Sequence, residues 1–414
     1  MALKIILDNY LYDLTSFADI HPGGSKILEI FPHYSDVSIH FYMNHSKASK
    51  SLLEKFKIKK IEISDNAQLN NLKINSTIYQ ILKHRVKEAI PYQFASYEWY
   101  LKAMIIMGLS FYFELSSILF GFTYLKSGIL GFLFALIGLC IQHDANHGAI
   151  SKNSYINRCW GYSQDWIGGS SLLWKHHHLL LHHAYTNMKE LDPDINTTII
   201  RLHKLTKWNK WYSFQSLYIW FLLPLLPLNW HFGEIYDLIT MTHQGKKISI
   251  ASFNEVVLSL LFKLLFIIRF YCIPLYYYPH FHTISCLLTT LLIGGFYLGI
   301  NFIISHNFEN TYFPDDDKEE DWAIIQVHSS STVGGRLLGF FHGGLNYQIE
   351  HHLFPKICHS HYHKLRPIVE QWCKDYHITY NYYPSLFDNI RSCYRHLKIM
   401  GDGDGEGKYN NHQL

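Results

Sequence analysis

Three short runs in this chain place histidines where several imidazoles could hold metal together. In His143-Asp144-Ala145-Asn146-His147 two histidines lie four residues apart. On a helix such positions share one face, about a turn apart, and both side chains can aim at one ion. The run Trp174-Lys175-His176-His177-His178-Leu179-Leu180-Leu181-His182-His183 is denser. His178 and His182 share a face, and His183 lies about 100° round, so His182 and His183 could serve different metals. His176 and His177 read as outlying or surface residues. In Gln348-Ile349-Glu350-His351-His352, Gln348 and His352 share a face with His351 beside them. His306 ends the last apolar run and could join the same centre. Any one run could arise by chance among 28 histidines; three at one membrane face require a reason. Structural zinc takes four ligands, and these runs offer eight or nine. Nitrogen-rich ligation with few carboxylates suits iron, and two metals are needed to use so many ligands. Asp144 and Glu350 read either as acids that orient the ligands or as solvent-facing acids.

A second constellation lies at the N-terminus. His21-Pro22-Gly23-Gly24 forces a turn beside an imidazole and removes side chains where a flat macrocycle must approach. His45 follows after a helix-sized interval. Two imidazoles on opposing loops can ligate one haem iron axially and leave no open position, which suits electron transfer. A pair of irons that activates dioxygen needs electrons one at a time, so the two constellations explain each other.

The elements that must position them are legible in outline. The 414 residues allow one large domain and a small one. Residues 1–63 read as a small soluble unit, opening with two short strands over residues 4–13 joined at Asp8-Asn9. Residues 64–98 read as a polar linker, over 64–76, and an amphipathic helix over 78–92. Residues 99–400 then turn apolar. Runs 100–125 and 128–141 are parted by Lys126-Ser127, and runs 256–278 and 283–305 by Pro279-His280. They predict two membrane hairpins, the second run reaching spanning length by continuing toward His143. Run 214–228, with Pro224 and Pro227, reads as interfacial. Charges within the apolar runs must snorkel or face the protein interior; Lys102 reads as snorkelling, while Glu114, Lys263 and Arg269 receive no role. Residues 401–414 read as a disordered tail. Two hairpins put the N-terminus, the stretch 143–255 and the C-terminal part on one side. The first residues lack a signal-peptide pattern, which makes that side the cytosol. Seven cysteines without a CxxC pair fit a reducing compartment. With 36 Lys+Arg against 33 Asp+Glu, a nucleic-acid partner has no electrostatic support.

Residues 7–56 resemble the cytochrome b5 module in Tyr12-Asp13-Leu14, Phe17, His21-Pro22-Gly23-Gly24 and His45-Ser46, without that module's usual first strand and helix upstream of Lys4. Nearly the whole chain resembles the front-end fatty acyl desaturases that carry such a module. The likeness runs through residues 142–149, residues 174–187 with Leu191-Asp192-Pro193-Asp194, residues 305–309 and residues 343–355. Gln348, in place of a histidine, marks this group. The resemblance implies a mainly α fold: four transmembrane helices with a cytosolic helical cap, preceded by a small α+β haem domain. It implies iron ligation by His143, His147, His178, His182, His183, His306, His351 and His352 with Gln348 near the centre, and haem b held by His21 and His45. Box two has one residue more between its histidines than many relatives have, so either His177 or His178 could be its first ligand. The implied partners are a fatty acyl lipid or acyl-CoA, dioxygen, NADH-cytochrome b5 reductase and the endoplasmic reticulum bilayer. The implied reaction inserts a cis double bond between an existing one and the carboxyl end, with residues 142–149 most like delta-5 or delta-4 members; delta-6 also stays open. A sphingoid-base desaturase or lipid hydroxylase is the alternative enzyme. A membrane-anchored haem electron carrier is the non-enzyme alternative, which iron analysis separates.

Overall fold

Four helices in the computed structural model are long and apolar enough to cross a membrane: α1 (Tyr97–Phe120), α2 (Tyr124–Asn146), α3 (Phe253–Tyr277) and α4 (Phe281–His306). At ~1.5 Å per residue they reach about 35–39 Å, against a hydrocarbon core of ~30 Å. The structure describes residues 3–21, 28, 35–45, 47–61, 72–243, 246–248, 253–314 and 320–403. The expectations for Pro22-Gly23-Gly24, Ser46, most of the linker and residues 404–414 lie outside these.

Helices α2 and α4 form the tightest pair, and glycine makes the approach possible. A Cβ on Gly131 would meet the Thr290 carbonyl oxygen at 2.3 Å, and one on Gly294 would meet the Gly131 oxygen at 2.8 Å. Small residues at such crossings let backbones pack without a hydrophobic driving force. Their packing brings the last turns of two helices, with His143 on α2 and His306 on α4, to one end of the bundle.

The break in the first hairpin falls at residues 121–123, not at Lys126-Ser127. Gly121 takes φ +83, a left-handed backbone that ends α1. Thr123 caps α2 by accepting from the Lys126 N–H, and the Lys126 ammonium donates to the Ser116 and Gly121 carbonyls at 3.2 and 3.0 Å. The lysine thus closes the end of α1 from inside α2. The other charges within the apolar runs are also partnered. Arg269 pairs with Glu114 and donates to the Trp166 carbonyl. Lys263 pairs with Glu234 at 2.6 Å and donates to the Gly168 and Trp230 carbonyls. Lys102 reaches the Phe340 carbonyl.

At the N-terminus three antiparallel strands, β1 (Lys4–Leu7), β2 (Tyr10–Asp13) and β3 (Lys57–Lys60), follow in the order β1-β2-β3. Leu7 pairs with Tyr10 across Asp8 and Asn9, whose φ of 50 and 64 suit a two-residue hairpin turn. Leu3, Ile5, Leu7, Tyr12 and Leu14 pack on Phe41 and Tyr42 of helix Ser38–Asn44. That core continues into Tyr79 and Leu82 of helix Thr77–Ala89, then Trp322, Ile349 and Leu353. One apolar interior therefore joins the N-terminal unit to the third histidine run. A further tie is direct: His40 Nε2 donates to the Leu180 carbonyl at 2.9 Å, inside the second run.

Candidate metal centre

Each histidine run sits on a helix end facing the same interior. Helix α2 widens into a π-turn at Ile137–Gln142 before Asn146, and His143 and His147 face each other, ring centroids 4.7 Å apart. Gln142 and Asn146 lock this turn through a 2.9 Å amide hydrogen bond. The second run begins as helix Ser171–Trp174 and continues as a π-turn, Lys175–His182. The sequence suggested an α-helix here. In the wider turn, with i→i+5 bonding, His183 comes back beside His178, their Nε2 atoms 3.1 Å apart. The third run is the short helix Gln348–Leu353.

Two ligand groups result. His143, His147, His178 and His351 bring one ring nitrogen each within 4.8 Å of one another, and His182, His306 and His352 do the same. Gln348 Nε2 donates to His306 Nε2 at 2.9 Å and lies 3.3 Å from His352 Nε2. His183 lies between the groups, stacked on His352 at 4.3 Å and 4.6 Å from His351 by ring centroids. All the residues expected near the centre therefore meet. His177 does not: it turns to Asp194 at 2.5 Å and His243 at 2.8 Å.

The donor chemistry fits metal ions. Buried imidazole nitrogens normally find partners, yet both nitrogens of His143, His147 Nε2, His183 Nδ1 and His351 Nε2 have none among the described residues. Four other nitrogens are held from outside. His182 Nδ1 donates to Asp192 at 3.1 Å, His306 Nδ1 to the Ser329 carbonyl at 2.9 Å and His352 Nδ1 to Gln326 Oε1 at 2.8 Å. His351 Nδ1 shares a 3.0 Å hydrogen bond with the Tyr362 hydroxyl. Such contacts fix the tautomer and leave Nε2 facing inward, without a partner on His351 and against the Gln348 amide on His306 and His352. Burial, reinforced by neighbouring imidazoles, pushes His147, His178, His183, His351 and His352 well below the usual histidine range. That keeps them neutral, the form that binds metal. Burial acts on His182 in the same sense, but Asp194 and Asp192 overcome it and raise its pKa to about 9.

Sequence reasoning missed these outer partners. Asp192 and Asp194 stood in the compared stretch after box two; Gln326, Ser329 and Tyr362 carried no spacing signal. The acids singled out, Asp144 and Glu350, are buried but contact no histidine of the runs. Asp144 accepts from Trp99 Nε1 at 2.9 Å and pairs with His359 at 2.5 Å. Glu350 accepts from Thr332 at 2.8 Å and Tyr380 at 2.6 Å. Asp144 thus ties the end of α2 to α1 and to His359, and Glu350 ties its helix to the strand Thr332–Val333 and to the loop at Tyr380.

At the N-terminal unit His21 and His45 lie with ring centroids 5.9 Å apart. His45 Nδ1 donates to the Phe41 carbonyl at 3.1 Å, which turns its Nε2 away from the backbone.

Known proteins give this geometry a context. The fatty acid desaturase family profile matches residues 118–384. An acyl-lipid (7-3)-desaturase of Rebecca salina is 36% identical over 96% of this chain and 90% of its own length. An acyl-lipid (8-3)-desaturase B of Dictyostelium discoideum is 29% identical over 97% and 91%. An sn-1 linoleoyl-lipid 6-desaturase of Arthrospira platensis is 30% identical over 66% and 76%. With four apolar helices of spanning length and histidine clusters able to bind metal, the chain belongs to the fatty acid desaturase family and is an oxidoreductase.

Proposed function

We propose that this protein desaturates a polyunsaturated fatty acyl chain between an existing double bond and the carboxyl end, delta-5 by preference over delta-4 or delta-6. One iron would be held by His143, His147, His178 and His351, the other by His182, His306 and His352 with Gln348, and His183 stands between. The observation that carries this is the pair of adjacent imidazole groups, the first with inward nitrogens of His143, His147 and His351 bare and the second gathered on the Gln348 amide. Iron bound there supplies dioxygen activation: two acyl hydrogens plus two electrons and two protons reduce dioxygen to two waters. The chain's own residues orient the imidazoles, hold those of His147, His178, His183, His351 and His352 neutral, and exclude bulk water, since all these histidines are buried or nearly so.

Haem b would be held by His21 and His45 and, reduced by NADH-cytochrome b5 reductase, would supply the electrons. Two things support this. The imidazoles face one another at 5.9 Å. From His45 a short chain of contacts, through the stacked Phe41 ring at 4.7 Å and its neighbour His40, ends at Leu180 of the second run. The reading makes residues 1–63 the haem domain and 99–400 the desaturase domain. It places the protein in the endoplasmic reticulum membrane with the histidines toward the cytosol.

The test is expression in yeast fed polyunsaturated acids, with gas chromatography of the products. A new double bond on the carboxyl side of an existing one is expected. A hydroxylated product, or none from protein carrying both non-haem irons, would refute the reading. Metal analysis of the purified chain should give three irons, one of them haem.

A further inference from the structure

Two lysines stand beside His45, and neither belongs to residues 1–63. Lys83 lies on helix Thr77–Ala89. Its ammonium donates to the carbonyl of Tyr42, three residues before His45, and lies 4.5 Å from the centre of the Tyr79 ring. Phe354 packs on that same ring, with centroids 6.2 Å apart. A turn closed by the Ile357 N–H on the Phe354 carbonyl, at 3.0 Å, then carries Lys356 between buried Pro355 and Ile357. Ile357 shares the apolar core with Phe41 and Tyr42. Burial pushes the His45 imidazole down to about 4, and Lys356, then His21 and Lys83, push in the same direction. Both ammonium groups therefore lie near enough to act on that ring.

Neither has an anion. Both side chains are half-buried, and among the described residues neither forms an ion pair. Burial pushes each down to about 8, and no carboxylate acts against it. Lys50, in the N-terminal unit, shows the contrast. Burial acts on it in the same sense, but it pairs with Asp8, which raises its pKa instead. A desolvated ammonium without a counter-ion is costly. Two of them beside one imidazole call for an anion with two negative charges. Haem b is such an anion: an apolar ring with two carboxylates on one edge. The apolar surroundings match the rest of it. Phe41 stacks on His45 at 4.7 Å, and Phe17 meets His21 edge-on at 5.7 Å.

We propose that Lys83 and Lys356 bind the two haem carboxylates, so that the haem docks the N-terminal unit onto the rest of the chain with its carboxylate edge toward the third histidine run. This deepens the reading that His21 and His45 hold haem b, and it rests on that reading. The N-terminal unit supplies the iron ligands, and two later segments supply the counter-charge. The haem is then a joint between the parts of the chain as well as an electron carrier. Lys356 stands four residues beyond His352, a member of the second imidazole group.

Transfer of haem from purified full-length protein to excess apomyoglobin, beside a redox titration of its absorbance, tests the docking. Lys83→Gln and Lys356→Gln should each release haem about tenfold faster than wild type, the worth of one charge-assisted hydrogen bond. Each should also lower the haem midpoint potential, because losing a positive charge beside the ring favours the ferric state. Lys356→Arg keeps the charge and should restore both values. Lys59→Gln, at an exposed lysine of β3, should change neither. Full-length protein loaded with haem dimethyl ester, which has no carboxylate charge, should show no difference in release between wild type and the glutamine variants. Wild-type release and potential in both glutamine variants would overturn the proposal. So would faster release that persists with the ester, since the lysines would then serve packing alone. Failure of the haem reading is a different result, wild-type protein without haem absorbance, and it removes the docking as well.

Discussion

Replacing Tyr362 by phenylalanine removes one oxygen and leaves the ring that fills its buried position. That hydroxyl is the hydrogen-bond partner of His351 Nδ1, at 3.0 Å. His351 brings its other nitrogen, bare in the interior, to the group formed with His143, His147 and His178. Two responses are open to the imidazole. It can keep its proton on Nδ1, now buried without an acceptor, at about 1–3 kcal/mol. Or it can move the proton to Nε2, which then cannot ligate. Either route weakens metal binding at that group and not at the other, and losing such an orienting partner costs ~10–100-fold in metal affinity or activity. A factor of ten is ~1.4 kcal/mol, so the two estimates agree. The assay is chelator titration of purified protein, following non-haem iron per chain, beside turnover at saturating iron. One of two non-haem irons should leave at a chelator concentration at least tenfold lower than in wild type. Iron retention and activity indistinguishable from wild type would refute the reasoning, because the His351 tautomer would then not be set by Tyr362.

Other substitutions test separate parts. His178→Ala should lose one non-haem iron and reduce turnover to background, whereas His177→Ala, whose imidazole bridges Asp194 and His243, should keep both irons; metal analysis decides. His45→Ala should abolish haem absorbance and reductase-driven turnover while non-haem iron stays unchanged. Arg269→Met should lower stability by about 3–5 kcal/mol, since it leaves Glu114 a buried charge without its partner. Thermal unfolding in detergent should show much of that loss recovered in the double variant Glu114→Gln/Arg269→Met.

What was legible in the sequence was whatever repeats with a helical period or stands at the end of an apolar run. His143 lies in the last turn of α2 and His306 ends α4, and hydropathy located both. The hairpin turn at Asp8-Asn9 was legible because those residues accept positive φ. The hairpin break was misplaced, because a polar pair, Lys126-Ser127, looks like a boundary. The real boundary is one glycine, and the lysine serves the preceding helix by bonding back to its carbonyls. The orienting partners were hidden for a different reason. Gln326 and Tyr362 reach His352 and His351 from other helices, and no local period records that.

The second run shows the limit most sharply. Its spacing carries one residue more than expected, which left His177 and His178 as rival ligands. On an α-helix His178 and His182 share a face and His183 points elsewhere. The π-turn at Lys175–His182 absorbs the added residue by closing its hydrogen bonds five residues apart. That rotation swings His183 back to within 3.1 Å of His178 and sends His182 to His306 and His352. It also leaves His177 on the outer side, against Asp194. A helix of ordinary pitch could not serve both groups from one run. Straightening it by deleting a residue among Leu179–Leu181 should therefore separate His178 from His183, and the two imidazole groups would no longer be filled from the same segment.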